Sequence, residues 1–338
     1  MTEHGCLRLA VGGLLVLLPS ALMTQPQGPS PAPGDERVSI ETRPKAPKIE
    51  PELKRRESTF KIDVPMVLVP VTVTDPMGRL VTGLEKEHFK VSEDKDEQKI
   101  AHFGAEDAPL SVGIIFDASG SMGQKLAKSR QAVAEFSKSA NPKDEFFLIQ
   151  FNDQPELVVG FTTRVEDIQN RLTFTQAKGR TALLDAIYMG LNNMKHARNP
   201  KRALLIISDG GDNSSRYTER EIKKLVKEAD VQIYAIGIYE PASSRGRTSE
   251  ELSGPSLLTE VAEQTGGRQF PVENLNELPD VAAKIGVELR NQYVLGYVPT
   301  NQQKDGKWRR ILVRLVQLPR TMPQLRAFWK LGYYAPAQ

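Results

Sequence analysis

Residues 111–123 read SVGIIFDASGSMG: a nearly continuous apolar run that stops at an aspartate, followed by serines at alternate positions. A run without polar alternation fits a strand covered on both faces rather than one with a wet face. The spacing of Leu126, Val133 and Phe136 predicts a helix over residues 123–140 directly after it. Two explanations then compete for Ser119 and Ser121. One is capping of that helix, worth about 1 kcal/mol. The other is a metal site, in which Asp117, Ser119 and Ser121 supply oxygen donors.

Working outward, strand and helix signals alternate from Leu110 to about Arg290. DEFFLIQF (144–151), RALLIISD (202–209) and VQIYAIGI (231–238) are further apolar runs, and PELVVGF (155–161) suits an antiparallel edge strand. Between them lie TALLDAIYMGLNNM (181–194), with Leu184, Ile187, Leu191 and Met194 on one face, and TEREIKKLVKEAD (218–230), where Thr218 and Glu221 form a capping-box pattern. SLLTEVAEQTGG (256–267) and NELPDVAAKIGVELRNQ (276–292) read as the last two helices, with RQFPV (268–272) a short strand between them. This order predicts an α/β, Rossmann-like doubly wound sheet, mostly parallel, with ligands beyond the carboxyl ends of its strands. Asp117 and Asp209 stand at such ends.

The flanks are β-like. MVLVPVTVTD (66–75) alternates and is rich in β-branched residues, and two short strands follow in residues 88–106. These segments are too small for a stable domain of their own. YVLGYVP (293–299), WRRILVRLV (308–316) and AFWKLGYYA (327–335) restore the β pattern at the other end. We therefore expect a smaller β-sandwich-like domain built from both chain ends, residues 60–107 and 291–338, with the α/β domain, 108–290, inserted between them. The aromatic residues Tyr293, Tyr297, Trp308, Trp329, Tyr333 and Tyr334 suit either the core of that domain or a sugar-binding platform.

The N-terminal segment differs in kind. Arg8 precedes LAVGGLLVLLPSALM (9–23), whose strongly apolar part, Leu9 to Leu18, is shorter than the ~20 residues of a membrane-spanning helix. Residues 1–23 are expected to be a signal peptide or an N-terminal anchor, giving an exported protein, periplasmic, extracellular or attached to the envelope. Residues 24–59 carry seven prolines among charges and form a disordered linker, either a stalk or a plain tail. The single cysteine, Cys6, falls within the leader, so the folded part relies on its core rather than on disulfides. A net charge of +3 with no dense basic block gives no footprint for nucleic acid.

Three loops carry the chemistry: Asp117-Ala-Ser119-Gly-Ser121, KGRTALLDA (178–186) with Thr181, and SDGGDN (208–213) with Asp209. Two carboxylates and three hydroxyls are hard oxygen donors, suited to Mg²⁺ first and to Mn²⁺ or Ca²⁺. Neutral hydroxyls leave such an ion short of negative charge, so an open position would accept an Asp or Glu of a partner protein. Asp212 and Asn213 are candidates for supporting the site's water network, while Asp185 suits a surface or capping role. Asp209 with the glycines after it also fits a simple turn. Enzyme signatures are missing: no Gly-x-Ser-x-Gly surrounds Ser121, and neither a P-loop nor paired histidines occur.

Residues 111–290 resemble a von Willebrand factor type A domain. Its metal-ion-dependent adhesion site has the form Asp-x-Ser-x-Ser, a later Thr heading a helix, and a later Asp followed by Gly. These stand here as Asp117, Ser119, Ser121, Thr181 and Asp209. The resemblance implies a Rossmann-like fold, metal-dependent adhesion or protein binding, and no catalysis. The flanking β segments resemble those around this domain in a group of exported bacterial proteins common in Acidobacteria. A structural envelope module with a stabilising metal and a metal-dependent hydrolase are the alternatives.

Overall fold

A central sheet of six strands runs in the order β10-β9-β8-β5-β6-β7 in the computed structural model, which describes residues 66–105, 107–239, 249–319 and 324–337. The leader, its cysteine and the proline-rich linker lie outside the described residues. The four inner strands are β5 (Leu110–Asp117), β6 (Glu145–Phe151), β8 (Lys201–Ser208) and β9 (Gln232–Ile238). Every residue of β5 and β9 is buried, which accounts for their unbroken apolar character. All pairings are parallel except that of β7 (Pro155–Thr162), an antiparallel edge strand on β6, while β10 (Gln269–Val272) closes the other edge. Gly113 lies at the middle of β5 because a Cβ there would sit 2.1 Å from the Phe147 ring.

Helices cover both faces. Against one face pack α1 (Leu126–Ser137), α2 (Val165–Thr173) and α6 (Leu278–Arg290), through residues such as Val133, Ile168 and Ile285. Against the other pack α3 (Leu183–Met194), α4 (Glu219–Glu228) and α5 (Ser249–Gln264), through Ile187, Val226 and Leu258 among others. The Thr218 hydroxyl accepts from Glu221 N and the Glu221 carboxylate accepts from Thr218 N, completing the capping box of α4. Two local expectations are corrected. The helix after the metal-type loop starts only at Leu126, behind a 3-10 turn at Gly120–Met122. And α2 was not anticipated, since its only fully buried residues, Ile168 and Leu172, are too few to mark a helical stripe.

The remaining strands form two antiparallel four-stranded sheets. One, in the order β13-β1-β11-β4, contains β1 (Val67–Thr74), β4 (Ile100–Gly104), β11 (Tyr293–Tyr297) and β13 (Arg326–Trp329). The other, β14-β12-β2-β3, contains β2 (Phe89–Glu93), β3 (Asp96–Gln98), β12 (Trp308–Leu315) and β14 (Gly332–Tyr334). Residues 88–106 thus hold three strands, not two. AFWKLGYYA is likewise divided, its first half joining β1 and its second β12. Pairs such as Val69 with Leu295 and Val91 with Val313 set the register around one shared core. The aromatic side chains are largely consumed by it: Tyr293 OH accepts from Leu84 N at 3.0 Å, Tyr297 OH donates to the buried Glu93 at 2.7 Å, and Trp329 Nε1 donates to Ile311 O.

β1 lies between two cores. Val69, Val71 and Val73 enter the sandwich, while Thr72 and Thr74, on the opposite face, are also fully buried. Thr72 Oγ1 lies 3.4 Å from Tyr234 OH of β9 and accepts from Gln292 Nε2 at 3.1 Å. Beside it, Arg268 Nη1 donates to Glu288 Oε1 at 2.5 Å, and its guanidinium lies over Phe270 at 4.8 Å and over Phe328 of β13 at 4.5 Å. Burial pushes the Glu288 carboxyl up, and the Arg268 charge works against that shift. Arg268→Ala leaves a buried carboxylate without its cation, and we expect a loss of about 3–5 kcal/mol in urea unfolding. A loss within about 0.5 kcal/mol, the range of an ordinary surface change, would show that Glu288 does not depend on Arg268 and that the stacking of Arg268 on Phe328 adds little between the layers.

Candidate metal centre

Asp117 ends β5 and Ser208 ends β8, side by side at the carboxyl edge of the central sheet. The loops beyond are stitched together by main chain. Ala118 N donates to Phe151 O at 2.8 Å, Lys178 N to Ala118 O at 2.9 Å, and Gly120 N to Gly179 O at 3.0 Å. On the far side, Thr181 O accepts from Asn213 N at 3.0 Å and from Ser214 N at 3.1 Å, while Thr181 N donates to Asn213 Oδ1 at 2.9 Å. Asn213 thus fixes the backbone of Thr181. Asp212 Oδ2 accepts from Leu184 N at 2.9 Å, satisfying a free N–H in the first turn of α3. Asp185 is not a surface residue: it is buried, and its Oδ1 accepts from Arg216 N at 2.9 Å and Tyr217 N at 3.1 Å, pinning the end of the third loop.

Within this frame Asp117 is fully buried, its Oδ1 accepting from Ser119 N at 2.8 Å and its Oδ2 from Ser208 Oγ at 2.6 Å. Ser119 Oγ and Ser121 Oγ face each other at 3.1 Å. Neither hydroxyl caps a helix, since the 3-10 turn and α1 both start without a side-chain cap bond. That removes the competing explanation for the two serines. Thr181 is buried, and among the described residues its hydroxyl makes no hydrogen bond. Asp209 Oδ2 accepts from Lys125 Nζ at 3.1 Å, in a pair whose side chains are 12% and 11% exposed.

Burial first, and then the nearby Asp209 charge, push the Asp117 carboxyl up to about 7, against the hydrogen bonds from Ser119 and Ser208. A buried carboxylate held up in this way lacks a counter-charge. The oxygen donors of the three loops, two carboxylates and the hydroxyls of Ser119, Ser121 and Thr181, are of the hard type that suits a divalent cation such as Mg²⁺, Mn²⁺ or Ca²⁺. Lys125 and Ser208 were not singled out from the sequence. Ser208 has a faint signal, a hydroxyl closing an otherwise apolar buried strand. Lys125 has none, because only the turn at Gly120–Met122 swings it back to Asp209.

Residues 112–211 match the family model for the von Willebrand factor type A domain. The inserted α/β layer is a type A domain. A protein of Borreliella burgdorferi is 26% identical over 227 residues, covering 58% of this chain and 65% of that one. Inter-alpha-trypsin inhibitor heavy chain H4 of Bos taurus is 28% identical over 145 residues, covering 38% of this chain and 16% of that one. The chain therefore spans about two thirds of the first relative and about a sixth of the second. Among solved structures, a von Willebrand factor type A protein from Catenulispora acidiphila aligns with a TM-score of 0.47 at 12% identity, covering 82% of this chain and 64% of that one. BatB from Bacteroides thetaiotaomicron aligns at 0.42 and 18% identity, covering 53% and 98%.

The raised Asp117 carboxyl has a consequence for the metal-free type A domain. A group whose folded pKa lies above its unfolded value contributes stability that is complete below about 3.9 and lost as pH rises towards the folded value. In chelator, wild type should therefore lose stability relative to Asp117→Asn between about pH 4 and pH 7, by up to about 1.4 kcal/mol per pH unit. Urea unfolding across that range checks it, and parallel curves for the two proteins would show that Asp117 is not the group responsible.

Proposed function

We propose that this is an exported, divalent-metal-dependent binding protein, whose type A domain offers an ion to an acidic side chain of a partner protein. The observation that carries this reading is the convergence of the Asp117, Ser119, Ser121, Thr181 and Asp209 loops at one edge of the sheet, with the serine hydroxyls left uncommitted to capping. Ser119, Ser121 and Thr181 would hold the ion through neutral oxygens, and Asp117 and Asp209 directly or through water. Charge then sets the preference for a partner. Two carboxylates, the Lys125 ammonium and a dication sum to one positive charge, which an incoming Asp or Glu neutralises. Mg²⁺ is the first candidate, with Mn²⁺ and Ca²⁺ behind it.

Binding suits these residues better than turnover. A general base must be within hydrogen-bond reach of the proton it takes. Asp117 and Asp209 are already engaged by Ser119, Ser208 and Lys125. Export is supported by the apolar run after Arg8, and the proline-rich residues 24–59 suit a spacer between the leader and the folded part.

Calorimetric titration with Mg²⁺ should show binding to wild type and affinities weakened roughly tenfold or more for Asp117→Ala and for Asp209→Ala. Unchanged affinity in both variants would remove the metal from this reading. Capture of envelope proteins by wild type in Mg²⁺ and in chelator distinguishes adhesion from a purely stabilising metal: retention that survives the chelator while the melting temperature falls would favour the stabilising role.

A further inference from the structure

Beside the metal loops lies a groove of about 230 Å³, floored by Ala118, Gln150 and Phe151 and rimmed by Arg171, Phe174 and Lys178. It borders the first two metal loops through Ala118, which lies between Asp117 and Ser119, and through Lys178, whose N–H donates to the Ala118 carbonyl; none of the five candidate donors lines it. Phe174 is 78% exposed, more than any other large apolar side chain among the described residues. A single exposed ring is ordinary on a protein surface, so its weight here comes from its place on the groove rim beside two cations. It is not on a loose loop. Phe174 N donates to Arg171 O, the next residue, Thr175, is buried, its hydroxyl bonds with the Gln150 amide, and its carbonyl accepts from Arg130 Nη2 at 2.5 Å. The ring is therefore presented on a fixed support, which lowers the ordering cost of binding. Arg171 and Lys178 make no ion pair among the described residues, and Glu156 is the single acid lining the groove.

We infer that this groove is the specificity surface of the metal centre, and that it takes an extended acidic segment of a partner protein. One Asp or Glu of the segment meets the ion, a neighbouring aromatic or large aliphatic side chain packs against Phe174, and a second acidic residue faces Arg171 and Lys178. The inference rests on the metal-dependent reading above and adds the chemistry of the partner. Aromatic anchors of this kind carry a disproportionate share of interface energy, and rim cations select partners and speed encounter.

The test uses the full chain and a random twelve-residue peptide display library panned in Mg²⁺, with selected peptides measured by fluorescence anisotropy. Selected peptides should bind in Mg²⁺ and not in chelator, and should pair an acidic residue with a nearby aromatic or large aliphatic one. Phe174→Ala should weaken them about five- to twentyfold, with Mg²⁺ affinity and melting temperature unchanged. Arg171→Glu with Lys178→Glu should weaken them further, most at low salt. Peptides that need Mg²⁺ yet ignore all three substitutions would overturn the groove and leave the metal reading standing. Peptides that bind equally in chelator would overturn the metal reading and this inference with it. A selection yielding no Mg²⁺-dependent peptide would show that the groove takes no linear acidic segment.

Discussion

The Asp117 carboxylate stands at the end of a strand with no solvent on either face, and much of the molecule is arranged around the need to satisfy it. Ser208, at the end of the adjacent strand, and the backbone of Ser119 supply two hydrogen bonds. Both require parallel β5 and β8 to end level, which the pairing of Phe116 with Ile207 provides. They also require the chain to turn at once, hence the 3-10 turn at Gly120–Met122 ahead of α1. Two hydrogen bonds do not offset complete burial beside a second carboxylate, as the upward shift of Asp117 indicates. A structural aspartate would be better served by an arginine. Among the described residues no cation pairs with Asp117, and Lys125 is committed to Asp209.

The loops that present these donors are rigid for a reason independent of any ion. Each is tied to the next by backbone hydrogen bonds, and Asp185, Asp212 and Asn213 use side-chain oxygens to satisfy N–H groups that the turns would otherwise leave unpaired. A frame of this kind keeps donors in place before a ligand arrives. It also explains why three polar residues near the site are spent on the backbone: the loops carry too little apolar surface to be held by packing.

At the other end of the architecture, β1 joins the two layers. Its valines fill the sandwich core and its threonines face the type A domain, where Thr72 meets Tyr234 and Gln292, and Arg268 lies over Phe328 of the neighbouring strand. The Val-Thr-Val-Thr alternation at residues 71–74 resembles an ordinary half-exposed strand. Only the neighbouring domain turns its polar face into a second buried one, with hydroxyls that can still hydrogen-bond there.

Periodicity and composition alone determined the fold class. Uninterrupted apolar runs ending at residues 117 and 208 require strands covered on both faces, and the helices between them require a doubly wound sheet, because burial and backbone pairing must both be met locally. The candidate donors Asp117, Ser119, Ser121, Thr181 and Asp209 were legible for a similar reason: each lies in a loop that such a sheet opens at one edge. Tertiary structure decided what depends on distant segments meeting. That includes the pairing of β1 with β11 and β13, more than 200 residues away, the contact of Lys125 with Asp209, and the exposure of Phe174 beside the metal loops. None of these leaves a local pattern, because the energy that selects them comes from surfaces that do not exist until the chain has folded.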